Sequence, residues 1–197
     1  MTRVRKAAKA KMGSIRIIGG QHRGRKLPVL NIDGLRPTTD RMKETLFNWL
    51  MSDVRGAQCI DCFAGAGSLG FEALSRGAEK VTFIELNKNA AQQIRSNISL
   101  LGVDARYVQV KIGDALKVLS TLDSQPDLIF VDPPFNKALV QPCIDIINTT
   151  LAKEGCLIYI EHEAQGLTLA LPSNWRLHKE KTTQQVCARV YCVEKSG

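Results

Sequence analysis

Acidic residues and one proline corner recur along this chain at the places where an α/β sheet presents its strand ends. Asp61-Cys62-Phe63-Ala64-Gly65-Ala66-Gly67-Ser68-Leu69-Gly70 reads as the end of a buried strand, a glycine turn and the opening of a helix. Gly65, Gly67 and Gly70 fit G-x-G-x-x-G, where glycine admits positive φ and lets backbone approach a nucleotide-like ligand. By itself that match is weak. It gains weight from Glu85, which follows Gly65 by 20 residues and ends the next strand, where a carboxylate can accept from ribose hydroxyls. Asp114 follows a third strand and Gly113. It suits an adenine amino group, the N-cap of the next helix, or both.

Asp61 and the fourth strand end bear on which cofactor and which reaction. Asp61-Cys62-Phe63-Ala64-Gly65-Ala66-Gly67 reads D-x-F-x-G-x-G. An acid so close to the turn repels a pyrophosphate but suits a cationic ligand, which favours S-adenosylmethionine over NAD. Asp132-Pro133-Pro134-Phe135 follows the fourth strand. Two prolines fix φ and remove N–H donors, leaving carbonyls and the Asp132 carboxylate as acceptors for an exocyclic base amine. Holding both N–H bonds aims the nitrogen lone pair for in-line displacement, and Asp132 either takes the released proton as well or only orients the amine. Phe135 would stack on the base. A base inside a duplex must be flipped to reach such a corner.

The elements that position these residues follow from periodicity. From residue 58 onward strands alternate with helices: strands over 58–63, 80–85, 107–112, 127–131 and 156–160, and helices over 68–76, 87–101, 115–121 and 140–151. Two further strands, 175–182 and 185–193, have no helix between them and are expected to pair antiparallel. The fold class is therefore α/β, a doubly wound, mostly parallel seven-stranded sheet with one antiparallel edge strand. Ahead of it lie a β-hairpin, over 15–18 and 25–29, and a helix over 39–51. A boundary near residue 54 divides a basic arm, hairpin and helix (1–53) from the α/β body (54–197).

Charge is concentrated in the first part. The net charge is +8 over 197 residues. Residues 1–36 hold ten Lys or Arg against Asp33 alone, a balance of +9, and the remainder is at −1. Such a local excess neutralises phosphates. Arg16, His22, Arg23, Arg25, Lys26 and Arg36 are the candidates for gripping nucleic acid around a flipped base.

Composition excludes several classes. No apolar run approaches the roughly 18 residues of a membrane helix, and neither a secretory signal nor a transit peptide is expected. Cys59 and Cys62 form C-x-x-C, but residues three apart in a strand point to opposite faces, so a redox pair is rejected. His22, His162 and His178 show no ligand spacing, so no metal is expected. Six free cysteines acting as small hydrophobes imply a reducing, cytoplasmic setting.

These motifs carry a family resemblance. Ile15–Leu27 (I-R-I-I-G-G-Q-H-R-G-R-K-L), Leu35–Leu50 (L-R-P-T-T-D-R-M-K-E-T-L-F-N-W-L), Asp61–Gly70 and Phe130–Phe135 (F-V-D-P-P-F) closely resemble the RsmD family. These are bacterial 16S rRNA guanine-N2 methyltransferases, and the resemblance spans about residues 14–193. It implies the class I, Rossmann-like methyltransferase sheet. Asp61, Phe63, Gly65, Gly67, Glu85 and Asp114 would surround S-adenosylmethionine, and Asp132, Pro133, Pro134 and Phe135 would hold the guanine. The implied partner is 16S rRNA within a small-subunit assembly intermediate. The D-P-P-F box alone is shared with DNA adenine-N6 methyltransferases, which leaves that activity as the alternative.

Overall fold

A computed structural model describes residues 13–30, 39–165 and 168–195. Among the described residues, nine strands and five α-helices follow in chain order. β1 (Gly13–Arg16) and β2 (Lys26–Val29) form an antiparallel hairpin, and α1 spans Asp40–Trp49. The body comprises β3 (Gln58–Asp61), α2 (Ser68–Ser75), β4 (Lys80–Glu85), α3 (Lys88–Leu101) and β5 (Val108–Ile112). It continues with α4 (Ala115–Leu119), β6 (Leu128–Val131), α5 (Val140–Thr150), β7 (Leu157–Glu163), β8 (Trp175–Thr182) and β9 (Val186–Val193).

The seven-stranded sheet has the order β5-β4-β3-β6-β7-β9-β8. Its first five strands are parallel, and β9 pairs antiparallel with both β7 and β8. The expected mostly parallel sheet with one antiparallel edge is therefore present, with β9 inserted beside the outermost β8. The strand order reverses at β3/β6, the place where open α/β sheets bind ligands.

Two apolar layers cover the sheet. On one face α1, α2, α3 and the hairpin share a core that includes Ile15, Leu27, Phe47, Phe71, Phe83 and Phe130. On the other, α4 and α5 pack Leu119, Cys143, Ile144 and Ile147 against Ile60, Ile129 and Ile158. Cys59 belongs to the first layer and Cys62 to the second, as strand alternation requires. All six cysteines are free, and burial raises the Cys143 and Cys156 thiols to about 12.

Local chemistry sets the element ends. Thr39 caps α1 by accepting from the Met42 N–H, and Asn87 caps α3 by accepting from Asn89 and Ala90. Gly102 ends α3 at φ 68°, the left-handed region that glycine enters without strain. The chief departure from the sequence expectation is β7. It runs three residues past 160, to Glu163, and carries Glu161 and His162 into ordered strand.

The hairpin is fixed to the body by buried charge. Glu72, fully buried on α2, accepts from the Ile18 N–H at 2.9 Å and the Arg76 Nε at 2.8 Å, and Lys43 Nζ lies 3.9 Å away. Ser75 accepts from Gln21 N–H with its carbonyl and from His22 N–H with its hydroxyl. Arg76 also lies over the Phe47 ring, 5.1 Å from its centroid.

Candidate active site

Adjacent parallel strands bring the acids at their carboxyl ends to one edge of the sheet. β3, β4 and β6 do so with Asp61, Glu85 and Asp132, and Asp114 follows β5. A cavity of about 1850 Å³ lies along that edge. Asp61, Phe63, Gly65, Glu85, Asp114, Asp132, Pro133, Pro134 and Phe135 all line it. Small-ligand pockets run to roughly 300–1,000 Å³, so this cavity has room for two ligands side by side.

The glycine turn is held by two carboxylates. Glu85 accepts from Gly65 N–H at 2.7 Å with one oxygen and from Asn87 N–H at 2.7 Å with the other. Asp61, buried at the end of β3, accepts from the Gly70 N–H at 3.0 Å. Burial pushes the Asp61 carboxyl up to about 7; the Gly70 N–H pulls against this and the charge of Glu85 adds to it. Asp114 caps α4, accepting from Lys117 N–H at 3.1 Å, while still facing the cavity. The N-cap reading of Asp114 is thus realised in the structure.

The glycines divide their work. Gly67 stands at φ 81° as the N-cap of α2, and a Cβ there would point into Phe71. Gly70 is needed for packing, because a Cβ would sit 2.2 Å from Phe83 Cε1. Gly70→Ala is therefore expected to cost about 1–3 kcal/mol by overpacking against a buried ring. Thermal unfolding would show it as a fall of about 3–10 °C; an unchanged midpoint would contradict the helix–strand contact.

The corner after β6 carries backbone strain. Asn136 and Ala138 adopt φ 60° and 51°, a conformation that costs a non-glycine residue roughly 1–2 kcal/mol. Asn136 N–H donates to the Glu163 carboxylate, which ties the corner to the end of β7. Phe135 is half-buried on the cavity wall.

The hairpin borders the same cavity. Gly13, Ser14, Ile15 and Val29 line it, while Arg16, Arg23, Arg25 and Lys26 are exposed. Arg16 and Lys26 are direct cross-strand partners. Two like charges placed opposite one another are unfavourable in isolation and suit a polyanion. His22 is half-buried, and burial followed by the charge of Arg25 lowers its pKa. Arg36 lies outside the described residues.

Comparison with known proteins places the chain. The family model described as Conserved hypothetical protein 95 matches residues 15–192. A Haemophilus influenzae protein named ribosomal RNA small subunit methyltransferase D is 49% identical over 182 residues, covering 91% of this chain and 94% of that protein. An Escherichia coli protein of the same name is 47% identical over 187 residues, covering 94% and 93%. The chain belongs to the ribosomal RNA small subunit methyltransferase D family. The solved structure of yhhF from Escherichia coli matches with a TM-score of 0.84 at 47% identity, over 92% of this chain and 99% of that one.

Within this member of the family, four residues that matter were not singled out from sequence. Buried Lys43 and Glu72, with half-buried Arg76, form the ionic link beneath the hairpin. Glu161 stands on the cavity wall and accepts from Tyr159 Oη at 2.5 Å. Its signal was its position: it is to β7 what Asp132 is to β6.

Proposed function

We propose that this protein transfers a methyl group from S-adenosylmethionine to the exocyclic N2 amine of one guanine in 16S rRNA of the small ribosomal subunit. One observation carries the reading. The glycine turn and the Asp132–Phe135 corner line a single cavity, whose described walls bear Asp61, Glu85, Asp114, Asp132 and Glu161 against one base, Lys137. A dinucleotide would bring two phosphates into that acidic surface, whereas a sulfonium nucleoside brings positive charge.

The residues present fit S-adenosylmethionine. Asp61 would hold its ammonium directly or through water, Glu85 its ribose hydroxyls and Asp114 its adenine amine, with Phe63 and the Gly65 and Gly67 turn completing the cradle. When bound, this cofactor supplies an electrophilic methyl carbon on a cationic sulfur. Asp132 and the carbonyls of the Pro133-Pro134 corner accept the N–H bonds of the guanine amine and orient its lone pair. Phe135 stacks on the base. Asp132 receives the proton that the amine gives up. The names of the relatives support small-subunit rRNA as the substrate. In this reading residues 1–53 are an RNA-binding extension of the methyltransferase domain, and the reaction takes place in the cytoplasm on an assembling particle.

Two consequences are measurable. An ammonium pairs best with ionised Asp61, whose pKa of about 7 in the free protein means that protons compete with the cofactor below neutrality. S-adenosylmethionine affinity by calorimetry is expected to rise up to about tenfold from pH 6 to pH 7.5, and Asp61→Asn should flatten this rise. A rise of equal size in the variant would remove Asp61 from the ammonium site. Second, Arg16→Ala combined with Lys26→Ala should lower the slope of log affinity for rRNA against log salt by about 1 per lost phosphate contact. An unchanged slope would take the hairpin off the RNA.

The reading as a whole is tested with labelled S-adenosylmethionine offered with small subunits, protein-free 16S rRNA and duplex DNA. Label in either RNA form supports it. Label entering DNA alone, the outcome for an adenine-N6 enzyme, overturns the substrate; absence of cofactor binding overturns the chemistry.

A further inference from the structure

We propose that Glu161 is a second recognition acid in the base pocket, accepting the N1–H of the target guanine and thereby setting the choice of base. The inference rests on the guanine-N2 reading above. The D-P-P-F corner recognises an amine, and adenine, cytosine and guanine each carry one. Selection among them has to come from a neighbouring group.

Glu161 stands where that group is required. Val131 and Ile160 are the last register partners on parallel β6 and β7, and Asp132 and Glu161 are the residues that directly follow that pair. Two residues earlier, Phe130 and Tyr159 meet edge to face at 6.4 Å. Side chains two apart share a face, so both acids emerge on the side of that aromatic pair. Both line the cavity, and Glu161 is 7% exposed. Tyr159 Oη donates to Glu161 Oε2 and fixes how the carboxylate is turned. Burial, with the charges of Glu161 and Asp132, holds the Tyr159 phenol in its protonated, donating form.

The chemistry of the bases completes the argument. Guanine presents N1–H and N2–H side by side on one edge, two donors for two adjacent carboxylates. Adenine and cytosine present an amine beside a bare ring nitrogen, whose lone pair would face a carboxylate lone pair. A buried acceptor opposed by another acceptor is strongly unfavourable, which is how polar sites reject close analogues.

The test uses 2-aminopurine, which keeps the 2-amine but has no N1–H. It is placed at the methylated position of 16S rRNA, in whichever form of the RNA accepts methyl. Glu161→Gln keeps an oxygen for Tyr159 and turns an N–H₂ toward the cavity. The ratio of kcat/KM for guanine over 2-aminopurine is expected to fall at least about tenfold, with S-adenosylmethionine affinity held within about twofold. Equal losses on both substrates, or no loss, would overturn the assignment and leave Glu161 a structural acid. Should Glu161→Gln turn over too slowly, Tyr159→Phe removes the phenol hydrogen bond and should lower the same ratio about threefold, again against equal losses as the contrary result. Failure of the unsubstituted enzyme to methylate guanine N2 would instead overturn the proposed function and this inference with it.

Discussion

Asp132→Ala is expected to lower methyl transfer by about 10²–10⁴-fold, with S-adenosylmethionine binding held within about threefold. The separation follows from where Asp132 stands. It begins the corner after β6, on the cavity wall, whereas Asp61, Glu85 and Asp114 belong to the ends of β3, β4 and β5. An amine conjugated to a purine is a weak nucleophile, and its reactivity depends on being held with the lone pair directed at the acceptor carbon. Alanine removes both the hydrogen-bond acceptor and the proton acceptor. Asp132→Asn separates the two, since its amide oxygen still accepts a hydrogen bond but cannot take the proton. If Asp132 works as a base, Asn should be nearly as slow as Ala; if it only orients, Asn should recover most of the rate. Single-turnover kinetics at saturating cofactor reads this directly. Full activity in Asp132→Ala would end the catalytic assignment of the corner.

Glu72→Ala is expected to destabilise the fold by about 3–5 kcal/mol, a fall in the unfolding midpoint of about 6–20 °C. Glu72 is fully buried and accepts from Ile18 N–H and Arg76 Nε, with Lys43 Nζ at 3.9 Å. Removing it leaves buried Lys43 and half-buried Arg76 facing each other's field. Lys43 has a partial escape. Burial already lowers its pKa, against the pull of Glu72 and then Asp40, so without Glu72 it can shed its proton. Arg76 has no such escape, because a guanidinium stays charged. Lys43 also donates to the Arg16 carbonyl and to Ser68 Oγ, so the damage reaches both the hairpin and the first residue of α2. Circular-dichroism melting of Glu72→Ala beside Glu72→Gln provides the check. A loss below about 1 kcal/mol would mean that the hairpin is held by its apolar face alone.

The parts of the site legible in sequence were those that ended a strand in a recognisable pattern. Asp61, Glu85 and Asp132 each close a run of apolar residues, and parallel pairing brings such ends together whatever the loops do. Asp114 was readable as either cap or ligand because both uses ask for the same residue at the same place. Glu161 was missed because the alternation through Tyr159-Ile160-Glu161-His162 looks like a strand running out into polar sequence. Its burial depends on β9 pairing through Glu163, a contact with residues about 25 positions later. Lys43, Glu72 and Arg76 were missed for a related reason. Charged residues on short helices normally face water, and only the hairpin folding back over α1 and α2 buries them.

The hairpin shows the same division. Its inward residues Ile15, Ile17 and Leu27 were readable as a β pattern, and its outward Arg16 and Lys26 as a basic surface. That its open end forms part of the cavity wall was a tertiary fact. This joins the basic surface to the Asp132–Phe135 corner. In the proposed function, phosphate contacts made by the hairpin would fix the position of a flipped nucleotide relative to Asp132.

The most direct test of the central claim is the identity of the product. Small subunits or 16S rRNA incubated with this protein and isotopically labelled S-adenosylmethionine are digested to nucleosides and analysed by mass spectrometry. The account predicts the label in N2-methylguanosine alone, lost with Asp132→Ala. Label in N6-methyladenosine or on a ring carbon, or unchanged labelling with Asp132→Ala, would contradict it.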